Sequence, residues 1–256
     1  MRIISYNTNG IRAAIKKGLI DWLKTDPADI ICIQETKANK DDVDYKSIEA
    51  LGFETFWFSA QKKGYSGVAV FTKIKPDFVE YGHKKEQSDF EGRVIRLDFG
   101  NITLINAYFP SGTSGDERQT YKYKWLDEFL DYLNELKKSR PKLIITGDYN
   151  IAHHDIDIHD PKGNKNSSGF LPQEREWMTR FLLNGFVDTF RHVHPTTAHK
   201  YSWWSQRFPT VRLQNKGWRI DYISVTENLK NDIVAADIYP EVKQSDHCPI
   251  YAEIKK

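Results

Sequence analysis

Leu143-Ile144-Ile145-Thr146-Gly147-Asp148-Tyr149-Asn150 passes from a short apolar run into a glycine, an acid and an asparagine. A run of that length bounded by a turn signal is the pattern of a buried strand, and Asp148 and Asn150 stand where the strand ends. A strand exit is rigid enough to hold a side chain, while the loop beyond it leaves room for substrate. The arrangement recurs: Arg2 to Tyr6 is followed by Asn7, Ile30 to Ile33 by Gln34 and Glu35, and Ile102 to Ala107 by Tyr108. Taken singly, Asn7 and Asn150 read as turn residues and Tyr108 as core, since Asn, Asp and Gly commonly close strands.

Further β-rich runs lie at Glu54 to Phe58, Val68 to Thr72, Val94 to Phe99, Ile220 to Val225 and Ile250 to Ile254. Helical spacing falls between some of them. From Thr120 to Lys138 the apolar Tyr123, Leu126, Phe129, Leu130 and Leu133 recur at helical intervals, and Pro172 with acids behind it opens a second helix to about Leu183. No Ser/Gly/Pro linker, low-complexity tract or short-period repeat divides the chain. Residues 1–256 therefore read as a single α/β domain of packed sheets flanked by helices.

With 256 residues, 39% of them hydrophobic and 13% aromatic, the chain can bury a substantial core. Its 37 Lys and Arg against 35 acids give a net charge of +2, which excludes a strongly basic protein but not a local basic face. Cys32 and Cys248 cannot form a disulfide framework and suggest a reducing compartment, so a cytoplasmic location is expected. Met1-Arg2 leads directly into Ile3-Ile4-Ser5-Tyr6 without the layout of a signal peptide. No segment approaches the ~20 apolar residues of a membrane span, and no membrane partner is expected.

Near the C-terminus, Ser245-Asp246-His247-Cys248-Pro249 sets an acid beside a histidine, and Trp218-Arg219-Ile220-Asp221-Tyr222 supplies another acid. A histidine can move or stabilise a proton near neutral pH once its ring is fixed by a carboxylate. Neighbouring side chains on an extended segment point opposite ways, so Asp221 is the better partner for His247, and Asp246 faces elsewhere. Together with Asn7, Gln34-Glu35-Thr36-Lys37, Asn106-Ala107-Tyr108-Phe109-Pro110 and Gly147-Asp148-Tyr149-Asn150, these motifs stand in the order seen in one family. The chain resembles the exonuclease III-type apurinic/apyrimidinic endonucleases. The likeness runs from Arg2 to the final strand and includes Pro161-Lys162-Gly163-Asn164-Lys165 through to Gly169-Phe170.

That resemblance implies a four-layer αββα sandwich of two mixed β-sheets flanked by helices, as in DNase I. It implies a divalent metal, Mg²⁺ with Mn²⁺ as a substitute, and cleavage of double-stranded DNA 5′ to an abasic site. The products would be a 3′-hydroxyl and a 5′-deoxyribose phosphate, in base excision repair, with 3′-to-5′ exonuclease and 3′-phosphodiesterase activity besides. Phosphodiester hydrolysis needs a cation against transition-state charge, a group that positions or deprotonates water, and help for the leaving oxygen. By resemblance, Glu35 is a metal ligand, with Asn7 and Asp246 completing or orienting the shell. Asp148 orients or deprotonates water, and Asn150 holds the phosphate or that water. Tyr108 bonds a phosphate oxygen or assists the leaving group, and His247, fixed by Asp221, contacts the scissile phosphate. For Glu35, the residues alone also allow a surface salt bridge with Lys37.

An enzyme that selects a baseless nucleotide can flip it into an apolar pocket too small for a base. Trp203, Trp218 and Ile220 match the family's pocket, with Trp203 where vertebrate members carry Phe. The family's DNA-facing positions correspond to Gly10, Arg12, Lys16 and Lys17, to Lys62, Lys63 and Tyr65, to Arg93, and to Asn164 and Lys165; phosphate contacts from such residues would make binding salt-dependent. Two departures stand out: the loop Ser111 to Glu117 lacks the Arg expected after the Tyr-x-Pro motif, and the longer loop Gln206 to Lys216 places Arg207 where an apolar residue would enter the duplex. His153-His154-Asp155 with Asp157, His159 and Asp160 fits no closed zinc signature and is assigned to loop structure. A monomer is expected, at the nucleoid if the source is bacterial. The competing readings are a same-fold phosphoesterase acting on inositol phosphates or on DNA without specificity, and a non-catalytic DNA-binding module.

Overall fold

The computed structural model describes residues 1–207 and 210–255. Its strands are β1 (Arg2–Asn7), β2 (Ile30–Gln34), β3 (Glu54–Phe58), β4 (Val68–Thr72), β5 (Phe78–Tyr81), β6 (Val94–Phe99), β7 (Ile102–Tyr108), β8 (Lys142–Asp148), β9 (Phe186–Asp188), β10 (Asp221–Thr226), β11 (Ile233–Ile238) and β12 (Ile250–Ile254). They form two six-stranded sheets, ordered β11-β12-β1-β2-β4-β3 and β5-β6-β7-β8-β10-β9. Each sheet is mixed, with one parallel pair, β1 with β2 and β7 with β8, among antiparallel neighbours. A parallel pair needs a crossover. Helices Ile11–Lys16 and Leu19–Thr25 carry the first, and Asp116–Ser139 carries the second.

Strand alternation sorts the apolar residues into layers. Ile3, Cys32 and Val70 of one sheet meet Leu97, Leu104, Ile144 and Ile223 of the other in the central core. Out-of-phase residues face the helices: Ile4, Tyr6 and Ile31 pack under Leu19 and Leu23, and Ile105 and Ile145 pack under Trp125, Phe129 and Trp177. Sheets covered on both faces read as near-continuous apolar runs, which is why these strands stood out in the sequence. The result is the four-layer αββα sandwich. Helix Pro172–Leu183 has the bounds expected of it, and the helix expected from Thr120 to Lys138 extends to Asp116–Ser139.

The residues in phase with the central layer turn polar at one end. Asn7 pairs in register with Gln34, while Tyr108 and Asp221 flank Asp148 on its two neighbouring strands. Gly147 lies among them, where a side chain would collide with the carbonyl oxygen of Ala107. Close approach of β7 to β8 therefore requires glycine beside Asp148.

Candidate active site

Both sheets contribute to one cluster at this polar end. Asn7 Nδ2 donates to Glu35 Oε1 and to Asp148 Oδ2, each at 2.9 Å, so one amide ties the two carboxylates across the sheets. Asn150 follows β8 at φ 53° and donates its backbone N–H to Asp148 Oδ1 at 2.8 Å and its side-chain amide to Oδ2 at 3.2 Å. His247 Nδ1 lies 2.9 Å from Asp221 Oδ2, and its Nε2 lies 3.8 Å from Asp148 Oδ2. Ligand atoms of Glu35, Asp148 and His247 all fall within 4.8 Å of one another, the one such cluster among the described residues. Lys37 Nζ pairs with Glu35 Oε2 at 2.7 Å, so the ion pair that the residues alone allowed does form, but inside the cleft beside Asp148.

Crowding of charge sets the protonation of these groups. Burial, and then the charge of Asp221, pushes the Asp148 carboxyl up to about 7. Burial opposes the charged form of His247, yet Asp221 and then Asp148 bring the ring up to about 10. Glu35 goes the other way: burial would raise its pKa, but Lys37 and the Asn7 amide hold it below the usual carboxylate range. Burial and the neighbouring Glu35 charge push the Tyr108 phenol well above its ordinary value, so it keeps its proton at neutral pH. The site thus combines a carboxylate tuned near neutrality, a fixed imidazolium and a phenolic donor.

Trp203 joins this cluster to an apolar group of side chains. Isolated bridges pair it with both Trp218 and His247, and its ring stands edge-on to Trp218 with centroids 6.0 Å apart. Ile220, Phe170, Ile158 and Ala152 form the apolar backing against which both tryptophans pack. Arg12, Lys37, Lys62, Lys63 and Tyr65 line a groove of about 350 Å³, so basic positions scattered in sequence share one face. Gly10 and Lys16 border an adjoining hollow. Lys17, Lys165 and Arg207 are exposed.

Three expected site residues are placed differently. Asp246 lies outside the cluster of Glu35, Asp148 and His247: Trp203 Nε1 donates to its Oδ2, and Asn9 Nδ2 and Ser245 Oγ donate to its Oδ1. Arg93 is buried, not a surface phosphate contact; its Nε pairs with Glu91 at 2.5 Å and its guanidinium lies over the Tyr108 ring. Asn164 turns its amide inward to the carbonyl oxygens of His159 and Asp160 and closes its own loop. Within the discounted acid and histidine stretch, Asp157 is buried and accepts from Arg191 and Arg219.

Residues 4–247 match the endonuclease/exonuclease/phosphatase family. An exodeoxyribonuclease of Bacillus subtilis is 47% identical over 251 residues, covering 98% of both chains. Among solved structures, an AP endonuclease from Archaeoglobus fulgidus is 31% identical with a TM-score of 0.91, and a 3′ phosphatase from Neisseria bound to a product DNA hairpin is 27% identical with a TM-score of 0.92, each covering 100% of both chains. The chain belongs to the endonuclease/exonuclease/phosphatase family. Within it, this chain is a nuclease.

Members of this family depend on a metal, and the donors fit one: Glu35 and Asp148 offer hard carboxylate oxygens within 4.8 Å of each other. Asn7 braces both carboxylates through its Nδ2, while its Oδ1 accepts the backbone N–H of Asn9 at 2.9 Å. This nuclease also carries supports that the sequence did not disclose. Gln34 Nε2 donates to Asn106 Oδ1 at 2.7 Å, an amide link between the sheets beneath the site, and Ser202 Oγ donates to Asp221 Oδ2 at 2.6 Å. Their motif neighbours were visible; their partners, distant in the chain, were not.

Proposed function

We propose that this nuclease is a Mg²⁺-dependent abasic-site endonuclease, with Mn²⁺ able to substitute, that cuts duplex DNA 5′ to the baseless sugar. It leaves a 3′-hydroxyl and a 5′-deoxyribose phosphate, and it also removes 3′-terminal nucleotides and 3′ blocking groups. The observation that carries this reading is the position of Trp203 between Trp218 and His247, with ring centroids 6.0 and 6.4 Å apart. A bare sugar seated against Trp203, Trp218 and Ile220 would bring its 5′ phosphate to the charged cluster, and a base would be excluded by the aromatic walls. The names of the Bacillus, Archaeoglobus and Neisseria relatives support DNA as substrate.

A bound Mg²⁺ would supply charge neutralisation at the phosphate, held by Glu35 with Asn7 and Asp246 completing or orienting its shell. His247, kept protonated and aimed by Asp221, donates from Nε2 to a phosphate oxygen. Asp148, poised near 7, orients the attacking water and accepts its proton. Asn150 fixes both Asp148 oxygens, and Tyr108 donates its retained proton to a phosphate or leaving oxygen. The enzyme works as a monomer, because one scissile bond needs one site, and in the cytoplasm, at the nucleoid if the source is bacterial.

The test is incubation with a duplex bearing a single abasic analogue, an intact duplex and a soluble inositol phosphate, each with Mg²⁺ and with chelator. Incision confined to the abasic strand and abolished by chelator is expected. Turnover of the inositol phosphate alone would replace the reading with that of a same-fold phosphoesterase.

A further inference from the structure

Lys122 and Glu174 form an ion pair at 2.6 Å with both side chains fully buried. They belong to helices Asp116–Ser139 and Pro172–Leu183, which cover the outer face of the second sheet. A buried pair is often no better for stability than apolar residues of similar volume, so what it holds in place is informative. Lys122 Nζ also donates to the carbonyl oxygen of Asn150 at 2.7 Å. Asn150 is the left-handed residue whose two N–H groups hold Asp148, and such a backbone persists only when its surroundings over-determine it.

Glu174 reaches the other half of the site. Its Oε2 accepts the backbone N–H of Gly169 at 2.6 Å and of Leu171 at 3.0 Å. Gly169 backs the pocket wall: a side chain there would come within 3.1 Å of Trp218 Cζ3 and 3.2 Å of the Asn150 oxygen. One charge pair therefore touches, at its two ends, the backbone that aims the water-activating carboxylate and the loop that backs the abasic pocket.

We propose that Lys122 and Glu174 are positioning residues that hold the Asn150–Asp148 pair and the Trp218 wall in fixed relation, an inference that rests on the function proposed above. Neither side chain reaches solvent, so neither touches DNA. Their effect is transmitted through the Asn150 carbonyl and the Gly169 and Leu171 amides.

The double variant Lys122→Met with Glu174→Met tests this, because it leaves no buried charge unpaired and removes both the donor to the Asn150 carbonyl and the acceptor of the Gly169 and Leu171 amides. Displacement of reacting groups by about 1 Å costs on the order of 100-fold. On the abasic duplex, kcat is expected to fall about 10- to 100-fold at unchanged KM, with preference for abasic over intact duplex reduced as well. A fall no larger than the loss of folded protein, shared equally by both substrates, would overturn the proposal. Unsubstituted enzyme run alongside separates the two readings: if it fails to cut the abasic duplex, the function is wrong; if it cuts and the variant cuts equally well, the positioning role is wrong. Should the variant not fold, amide exchange in the unsubstituted protein decides. Protection of Gly169 and Leu171 equal to that of the strand interiors is expected, and loop-like exchange would refute the role.

Discussion

Replacing Asp221 by asparagine removes one charge from the site and leaves its shape almost unchanged. Ser202 Oγ accepts the backbone N–H groups of Ile220 at 3.1 Å and Asp221 at 3.2 Å, so its own proton goes to Asp221 Oδ2 at 2.6 Å. The atom in that place must accept, and asparagine would turn its carbonyl oxygen there. That oxygen would also take the Nδ1–H of His247, now 2.9 Å from Asp221 Oδ2. The ring, stripped of its main charge partner, has its pKa lowered, and once it gives up its proton it presents a bare Nε2 that cannot donate to a phosphate. Loss of one donor to developing anionic charge costs about 10²–10³ in kcat, about 2.7–4 kcal/mol, and a histidine locked in the wrong tautomer costs about 10⁴. The expected fall is therefore on the order of 10²–10⁴ at unchanged DNA affinity. The pH profile carries a sign. Wild-type His247, raised to about 10, stays charged across the neutral range, whereas the variant ring is charged only below its lowered pKa. The ratio of variant to wild-type single-turnover incision should therefore decline as pH rises from about 5 to about 8, the need for a deprotonated Asp148 being common to both enzymes. A variant that cuts at near wild-type rate at the upper end, with a parallel profile, would refute the reasoning.

Glu35→Ala should raise the Mg²⁺ concentration for half-maximal incision by at least about 10-fold, measured by metal titration; an unchanged midpoint would remove Glu35 from the metal site. Asp157→Ala leaves the guanidinium groups of Arg191 and Arg219 without their shared carboxylate and should cost about 3–5 kcal/mol in denaturant unfolding. Although burial raises the pKa of Asp157, Arg219 and Arg191 hold its carboxyl below the usual range, so its stabilisation is present above about pH 3.9 and is lost as pH falls through the lower folded value. The variant should lack that acid-dependent component. If exposed Arg12, Lys16, Lys62, Lys63 and Lys165 each neutralise one phosphate, the log–log salt slope of duplex binding is about −4.5, and Lys62→Ala makes it shallower by about 0.9. A slope unaffected by Lys62→Ala would take that residue off the DNA.

Strands buried on both faces declared themselves as apolar runs, and the polar residues just past their ends marked the mouth between the sheets. Asp221 could be preferred to Asp246 as the partner of His247 because adjacent side chains on an extended segment diverge. Short or half-exposed edge strands carried no such signal: β5 begins with exposed Phe78, β9 spans only Phe186–Asp188, and β11 includes exposed Val234. Polar partners far apart in the chain have no periodicity to betray them. The Gln34–Asn106 link, the Lys122–Glu174 pair and the Asp157 network therefore emerged only with the fold. For the same reason Arg93 looked like a DNA contact until Glu91 and Tyr108 were seen to enclose it.

The central claim is that Asp148 activates water at a phosphate delivered by the abasic pocket. Single-turnover incision of a duplex with one abasic analogue, by wild type and Asp148→Asn side by side in Mg²⁺, tests it most directly. The account predicts one cut 5′ to the analogue by wild type, and equal DNA affinity with turnover lower by about 10² or more in the variant. Cleavage by Asp148→Asn at near wild-type rate would contradict it.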